Sequence, residues 1–153
     1  MREIERKFLV PSLPPLEGCA RYEIEQGYLA TELGKSEVRM RRCNNELLLT
    51  VKRDRNDGDG VHSRDEVNIT LSPEQWNELW PMTEGRRVLK DRYEVPCGDF
   101  LLELDVFKGG NEGVITAEVE FRDPESSHSF IPPDWLGEEV TRQAEYSNWK
   151  LAK

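Results

Sequence analysis

The chain has 153 residues, of which 33% are charged and 37% hydrophobic, and its formal net charge is −9. This length predicts one domain, residues 1–153, and the regular apolar patterns with four Trp, four Tyr and five Phe exclude a disordered chain. The acidic balance excludes a duplex nucleic-acid binder, which would show a broad basic face, but a local cluster of cations can still bind a small anion.

The compartment is predicted from the N-terminus and the cysteines. No apolar run approaches the length that spans a membrane, and the N-terminus is a charged segment rather than a signal peptide. Cys19, Cys43 and Cys97 are odd in number, widely spaced and outside any CxxC pattern. We therefore expect ordinary thiols in a reducing cytoplasm and no membrane partner.

The N-terminal segment, residues 1–10, is predicted to form a strand. Its two-residue period places Glu3, Glu5 and Lys7 on one face and Ile4 on the other. Two carboxylates and an ammonium suit a divalent cation beside an anion, because carboxylates are hard oxygen ligands and the lysine can bind what the metal carries. A solvated strand edge shows the same pattern, so this strand alone leaves both interpretations open.

The next three strands are predicted at residues 22–30, 37–42 and 47–53. Gly27 marks a bulge or a close backbone approach, and Tyr28 is more typical of a packed strand aromatic than of a ligand contact. Arg39 and Arg41 share a face, where their planar forks match phosphate oxygens or form cross-strand ion pairs. Lys52 extends this basic character to the following strand.

Residues 54–60 form a polar loop that superficially resembles a calcium-binding loop. Its sixth position is Asp59 instead of glycine and its twelfth is Asp65 instead of glutamate, so we reject that interpretation and predict a mobile turn. The strand at residues 64–71 follows, with Arg64 and Glu66 on one face.

At residues 72–80 the apolar period changes to that of a helix. Ser72 is the predicted N-cap of a capping box, and Pro81 is predicted to end the helix. Trp76 and Trp80 lie on one apolar stripe, which predicts core packing rather than a stacking platform for a base.

The remaining strands are predicted at residues 88–95, 101–107 and 116–122. Each has one charged face, formed by the pairs Lys90 and Arg92, Glu103 and Asp105, and Glu118 and Glu120. A second helix is predicted to begin at Asp123–Pro124, and a short C-terminal helix at residues 146–152 carries Lys150.

The charged faces of these strands are sorted by sign. Acids dominate the first, seventh and eighth strands, whereas cations dominate the third, fourth and sixth. A merely solvated face tends to intersperse the two signs. Grouped acids repel one another unless a cation lies among them, and grouped cations attract an anion. The sorting therefore favours a site for a metal and a polyphosphate, although strand parity does not say whether the charged face lines a cavity.

The ordered motifs resemble those of the CYTH superfamily, the triphosphate tunnel metalloenzymes. The first, Glu3-Ile-Glu-Arg-Lys7, is similar to the ExExK signature of that family. Further similar motifs follow in order at Arg39-Met-Arg41, Thr50-Val-Lys52, Arg64-Asp-Glu66, Lys90-Asp-Arg92, Glu103-Leu-Asp105 and Glu118-Val-Glu120. A lone ExExK would be weak, but seven ordered motifs over nearly the whole chain are specific.

The resemblance implies an α+β, mainly antiparallel β fold. Its core is an eight-stranded closed β-barrel tunnel with a charged interior and a few helices, such as residues 72–80, packed outside. Small barrels usually fill their interior with apolar side chains, so this arrangement is inverted. Buried charge is costly unless it is paired or metal-bound, so we expect a wet, strongly coupled lumen.

The resemblance also implies the ligands and their residues. One or two Mg²⁺ or Mn²⁺ ions would be held by Glu3, Glu5, Asp105, Glu118 and Glu120. The triphosphate would be bound by Lys7, Arg39, Arg41, Lys52, Arg64, Lys90, Arg92 and Lys150, with Glu5, Arg39, Lys52 and Glu118 as the residues closest to catalysis. Glu66 and Glu103 would orient the cations or bind metal through water, and Tyr28 would narrow one end of the tunnel.

The expected activity is metal-dependent hydrolysis of inorganic tripolyphosphate to pyrophosphate and orthophosphate. A class IV adenylate cyclase or a thiamine or nucleoside triphosphatase is the alternative enzyme, although no sequence feature builds a pocket for an organic group. A non-catalytic polyphosphate- or nucleotide-binding module is the alternative outside enzymes. The sequence leaves a monomer or a homodimer open.

Overall fold

The fold is known from a computed structural model that describes residues 1–32 and 35–153. Eight antiparallel strands form a closed barrel in the order β1-β5-β4-β3-β2-β6-β7-β8. The strands are β1 Arg2–Leu9, β2 Ala20–Glu32, β3 Ser36–Cys43, β4 Glu46–Arg55, β5 Ser63–Thr70, β6 Arg87–Cys97, β7 Phe100–Phe107 and β8 Ile115–Phe121. This architecture confirms the predicted barrel. Several strands extend beyond their predicted bounds because ladder pairing continues where alternation ends.

The first strand closes the barrel. The start of β1 pairs with β5, where Arg2 lies opposite Asp65, and the rest pairs with β8, where Glu5 lies opposite Glu120. Because β1 joins the two ends of the sheet, the N-terminal acidic motif lies between the basic strand β5 and the acidic strand β8.

The outer face of the barrel carries the apolar core in two clusters. The larger packs the outer faces of β1, β7 and β8 against the segment after β8, through residues such as Phe8, Leu104, Phe121 and Phe130. The smaller packs helix α1, Pro73–Leu79, on β3 and β4, through Trp76 on Met40. The predicted placement of apolar faces outward is therefore found.

Coverage of the outer face is incomplete. Val51 is 38% exposed, Val67 is 55% exposed and Ile69 is 49% exposed, all on the outer face of β4 and β5. The expectation that helices cover the apolar strand faces thus holds for β3 but only partly for β4 and β5. The helix α1 is only seven residues long, which limits the area it can cover.

The helices are shorter than predicted. Ser72 caps α1 with a complete capping box, as expected. Pro81 does not end the helical path, because a 3₁₀ turn at Trp80–Thr83 includes it near its start, where the missing N–H is tolerated. Helix α2 is Pro124–Ser129, capped by Asp123. The predicted C-terminal helix divides into a 3₁₀ turn at Ala144–Tyr146 and helix α3, Asn148–Leu151.

The loop between β4 and β5, predicted as a mobile turn, is tethered on two sides. Arg2 forms ion pairs with Asp57 and Asp59, and Arg142 donates a hydrogen bond to the Gly60 carbonyl at 3.1 Å. Two arginines distant in sequence thus hold the loop beside the barrel mouth, which its composition did not indicate.

The structure bears on two further features, the helices and the cysteines. Within the described ranges, every helix is too short or too polar to cross a bilayer. Cys19, Cys43 and Cys97 are free and half-buried, as predicted for ordinary thiols.

Gly27 in β2 is a site of close approach, as predicted. A Cβ at this position would lie 2.6 Å from both Cβ and Oγ1 of Thr83, and Thr83 is fully buried. A register shift between β2 and β3 follows directly, between Tyr28 and Ala30. The missing side chain therefore lets the 3₁₀ turn that follows α1 pack on the barrel.

Gly27→Ala is expected to destabilise the protein by roughly 1–3 kcal/mol through overpacking, which lowers the melting temperature by several degrees. Thermal unfolding followed by circular dichroism measures this. Thr83→Gly removes the colliding Cβ, so the double variant should lose less than the sum of the two single changes. Strict additivity would contradict the steric explanation.

Candidate active site

The barrel encloses a lumen cavity of about 430 Å³. The inward alternation of eight strands, not any single loop, brings its lining together. The cavity contains most of the predicted site residues: Glu3, Glu5, Lys7, Tyr28, Arg39, Arg41, Lys52, Arg64, Lys90, Arg92, Glu118 and Glu120. Asp105 and Lys150 lie outside this lining, and their surroundings differ from the prediction.

Acidic and basic strands occupy different arcs of the wall. The acid-bearing strands β7, β8 and β1 are consecutive around the barrel, and β5, β4 and β3, which carry Arg64, Lys52 and Arg39, are consecutive beside them. The basic strand β6 lies next to β7. A ligand in the lumen would therefore meet carboxylates on one side and guanidinium and ammonium groups on the other.

Ion pairs connect the two arcs. Lys52 Nζ lies 2.8 Å from Glu3 Oε2 and 2.9 Å from Glu66 Oε2. Arg64 Nη2 lies 2.9 Å from Glu5 Oε1. Because carboxylates on β1 and β5 hold these cations, they are positioned for a ligand before it arrives.

Glu5 and Arg39 are linked through two intervening residues, Arg64 and Glu37. Arg64 Nη1 lies 3.6 Å from Glu37 Oε2, and Arg39 Nη1 lies 3.5 Å from Glu37 Oε1. The first acidic motif and the first basic motif are thus parts of one site. Sequence analysis missed Glu37, although it shares the inward parity of Arg39 and could have been found by it.

The acids repel one another in the ligand-free lumen. Burial, reinforced by Glu5, raises the pKa of Glu3 to about 7. Burial, together with Glu103 and Glu66, also raises the pKa of Glu120. A divalent cation among these carboxylates would relieve the repulsion and favour their ionised forms.

Glu118 is the acid that the cations favour most. Burial alone would raise its pKa, but Lys7, with Nζ 3.1 Å from Glu118 Oε1, and Arg92 outweigh burial and hold the pKa well below its ordinary value. Glu118 therefore stays ionised and can act as a ligand or an acceptor at neutral pH.

The donor set fits a metal that arrives with its substrate. In the part of the chain that the structure describes, no three His, Cys, Asp or Glu side chains are grouped closely enough to hold a metal ion by themselves. Mg²⁺ is commonly bound by one or two carboxylates together with substrate phosphates and water. Binding of this kind, shared between protein and substrate, fits the lumen-facing carboxylates Glu3, Glu5, Glu118 and Glu120, which do not form a dedicated metal cage.

Arg41 is a half-buried cation of the lumen wall. Among residues 1–32 and 35–153 it has no ion-pair partner, and its buried Nε atom makes no hydrogen bond. Burial, with Arg39 and Arg92 nearby, lowers the pKa of Arg41. The Nε atom of Arg39 is also buried without a hydrogen bond. Buried donors without partners are uncommon, and here they face a cavity that can hold an anion.

Asp105 binds cations in this structure. It is fully buried, and it accepts hydrogen bonds from Arg92 Nε at 2.7 Å, Arg92 Nη2 at 2.9 Å and Lys90 Nζ at 2.7 Å. The resemblance implied a metal ligand, but both of its oxygens are already engaged by two cations. Asp105 lies on β7, next to β6, and the charges nearest to it are therefore the Lys90 and Arg92 cations of β6.

Lys150 and Tyr28 lie in contrasting places. Lys150 is exposed, with its ammonium 4.9 Å from the centre of the Trp149 ring, so α3 points it away from the lumen. Tyr28 is buried in the lumen wall, and Gln26 Nε2 donates to its hydroxyl at 3.3 Å. Burial raises the pKa of Tyr28, which keeps the phenol neutral and able to donate.

A C-terminal segment, of which sequence analysis assigned Lys150 alone to the site, completes the lumen wall. It contributes Val140, Thr141, Arg142, Gln143, Ala144, Ser147, Asn148 and Trp149. The segment has no strand alternation and no motif of charges, so no periodic signal in the sequence could have placed it there.

Comparisons with known proteins agree with this geometry. The CYTH domain family matches residues 1–148. The chain is 44% identical to the inorganic triphosphatase of Nitrosomonas europaea, over 99% of this chain and 97% of that protein. It is 35% identical to the inorganic triphosphatase of Acetivibrio thermocellus, over 99% and 94%. A crystal structure of an inorganic triphosphatase matches with 40% identity and a TM-score of 0.71, over 98% of this chain and 93% of that one.

Proposed function

Because the chain belongs to the CYTH domain family, we propose that it hydrolyses inorganic tripolyphosphate to pyrophosphate and orthophosphate with Mg²⁺ or Mn²⁺. Residues 1–153 act as one domain in this proposal. The two relatives described above are inorganic triphosphatases, and each is matched over nearly its whole length. The lumen carries the charges that a triphosphate substrate requires.

The observation that carries the proposal is the pair of incompletely satisfied arginines beside the acids. Arg39 and Arg41 each have a buried Nε atom without a hydrogen bond among the described residues. A chain of phosphates offers many acceptor oxygens, and a guanidinium binds two of them at once. Glu5 lies in the same network through Arg64 and Glu37. A metal-bound anion therefore fits the part of the lumen between the arginines and Glu5.

Each charged group has a proposed task. Glu3, Glu5, Glu118 and Glu120 hold the metal, which when bound would activate water and neutralise phosphate charge. The cations that bind and orient the triphosphate are Lys7, Arg39, Arg41, Lys52, Arg64, Lys90 and Arg92.

Catalysis requires the attacking water, the phosphorus and the leaving oxygen to be in line. The fixed cations of the lumen favour this by holding the phosphates and by stabilising the charge that develops on the leaving oxygen. We assign Asp105 to the positioning of Lys90 and Arg92, because its oxygens bind those two cations.

The shape of the lumen supports a linear inorganic substrate. Tyr28 and Gln26 project from β2, are almost fully buried and bond to each other. These two large uncharged side chains narrow the lumen beside β2, whereas the neighbouring strands direct charged side chains into it. An organic group on the terminal phosphate would need space there, so tripolyphosphate is preferred to ATP or thiamine triphosphate in this proposal.

The test is product analysis with tripolyphosphate, ATP and thiamine triphosphate side by side, in Mg²⁺, in Mn²⁺ and in chelator. We expect the fastest release of orthophosphate and pyrophosphate from tripolyphosphate and no turnover in chelator. Cyclic AMP from ATP would point to a cyclase instead. Metal-dependent binding of tripolyphosphate that stays intact for hours would point to a binding module.

A further inference from the structure

The C-terminal segment places one uncharged side chain, Asn148, beside the buried cations of the lumen. Asn148 lines the lumen cavity. The segment is anchored where Lys153 and Arg87 exchange backbone hydrogen bonds of 2.9 and 3.1 Å, and where Asn111 Nδ2 donates to the Leu151 carbonyl at 2.5 Å. Asn148 thus lies in a segment whose C-terminal end is bonded to the barrel.

The orientation of the Asn148 amide is fixed by Lys90. Lys90 Nζ lies 3.1 Å from Asn148 Oδ1 and 2.7 Å from Asp105 Oδ2, and Lys90 is 1% exposed. An ammonium only donates hydrogen bonds, so the atom facing it must be the amide oxygen. This resolves the usual ambiguity between the oxygen and nitrogen of an asparagine.

The amide nitrogen of Asn148 is then available to a ligand. With Oδ1 on Lys90, Nδ2 is the amide's other polar atom, and it makes no hydrogen bond to the described residues. Its two N–H groups are donors without charge. In a lumen whose charged donors are arginines and lysines, it adds a hydrogen bond without adding to the mutual repulsion of the cations.

We propose that Asn148 contacts the substrate, donating a hydrogen bond from Nδ2 to a phosphoryl oxygen of the triphosphate bound beside Lys90. This inference rests on the proposed function for the identity of the anion. In this proposal Asn148, and not the exposed Lys150, is the side chain of the C-terminal segment that contacts the substrate. Docking of that segment on the barrel is then part of substrate binding.

Two substitutions separate this role from a structural one. Asn148→Asp keeps an oxygen for Lys90 but removes the donor and adds a charge, whereas Asn148→Ala removes donor and acceptor without adding charge. Binding of tripolyphosphate is measured by calorimetry in chelator, so that neither turnover nor metal affects the readout. Glu145→Ala, at an exposed position of the same segment, is the matched control.

We expect both Asn148 variants to bind tripolyphosphate at least about tenfold more weakly, as for the loss of a hydrogen bond to a charged group, with the parental melting temperature. The control should bind as the parent does. Weakening by Asn148→Ala alone would mean that the residue only holds Lys90, and weakening by Asn148→Asp alone would be a charge effect, so either result overturns the proposal.

The same experiment keeps this inference separate from the proposed function. If the parent binds tripolyphosphate but does not hydrolyse it, the proposed activity fails while the comparison of affinities still decides the role of Asn148. If the parent hydrolyses tripolyphosphate and both variants bind it with parental affinity, the activity stands and the inference fails.

Discussion

Arg41→Ala is expected to lower kcat/KM for tripolyphosphate by about 100-fold or more, the usual loss when one donor to a developing negative charge is removed. The melting temperature should stay the same or rise. Arg41 has no ion-pair partner among the described residues and a buried Nε without a hydrogen bond. Removing it therefore breaks no pair and relieves repulsion from Arg39 and Arg92, which contributes to its lowered pKa.

Arg42→Ala is the matched control for this prediction. Arg42 is the next residue of β3 and faces outward, where it pairs with Glu25 and lies over the Trp76 ring. Its loss should change stability slightly, as for an exposed ion pair, and leave steady-state kinetics at the parental level. Parental kcat/KM in Arg41→Ala would show that its free guanidinium is not used by the substrate.

The combination of lost activity and retained stability distinguishes a ligand site from a structural network. Lys52 and Arg64 already have carboxylate partners at 2.8–2.9 Å, so replacing either one would disturb both folding and binding. Arg41 is the cleaner probe, because its partner is expected to be the substrate alone.

The strands could be predicted from alternation, because apolar and charged side chains alternate strongly along them, whereas their closure into a barrel was implied by the resemblance to the CYTH superfamily. In β7, Leu102 and Leu104 are fully buried on the outer side, while Glu103 faces the lumen. Charge sorted by strand then indicated a shared site. The same alternation placed Glu3, Glu5 and Arg39 correctly, since side-chain parity in a regular strand leaves only two directions.

The remaining features depend on contacts that alternation does not encode. Parity shows that Asp105 faces inward but not that Lys90 and Arg92 on the neighbouring strand occupy both of its oxygens. Asn148 and Lys150 are two residues apart in the short helix α3. Which of them enters the lumen is decided by anchoring at Arg87 and Asn111.

Asp105→Asn is expected to destabilise the protein by roughly 3–5 kcal/mol, because it leaves two buried cations without their shared carboxylate. For a chain of this size that lowers the melting temperature by about 10 °C. Burial alone would raise the pKa of Asp105, but Arg92 and Lys90 outweigh it and hold the pKa below its ordinary value. A depressed carboxyl pKa stabilises the fold above the ordinary value and loses that contribution as the pH falls, so the variant should lose less stability on acidification.

Glu103→Gln is the control for Asp105→Asn, because among the described residues Glu103 has Arg92 as its single ion-pair partner and its side chain is 42% exposed. It should destabilise the protein much less. Titrating the metal in each variant then separates the two roles of Asp105. A positioning residue raises KM for tripolyphosphate and leaves the metal requirement unchanged, since Lys90 and Arg92 lose their fixed geometry. If Asp105→Asn instead has parental stability and requires far more metal, Asp105 is a metal ligand. Direct coordination of the ion would explain that result, whereas lost contacts to Lys90 and Arg92 would not.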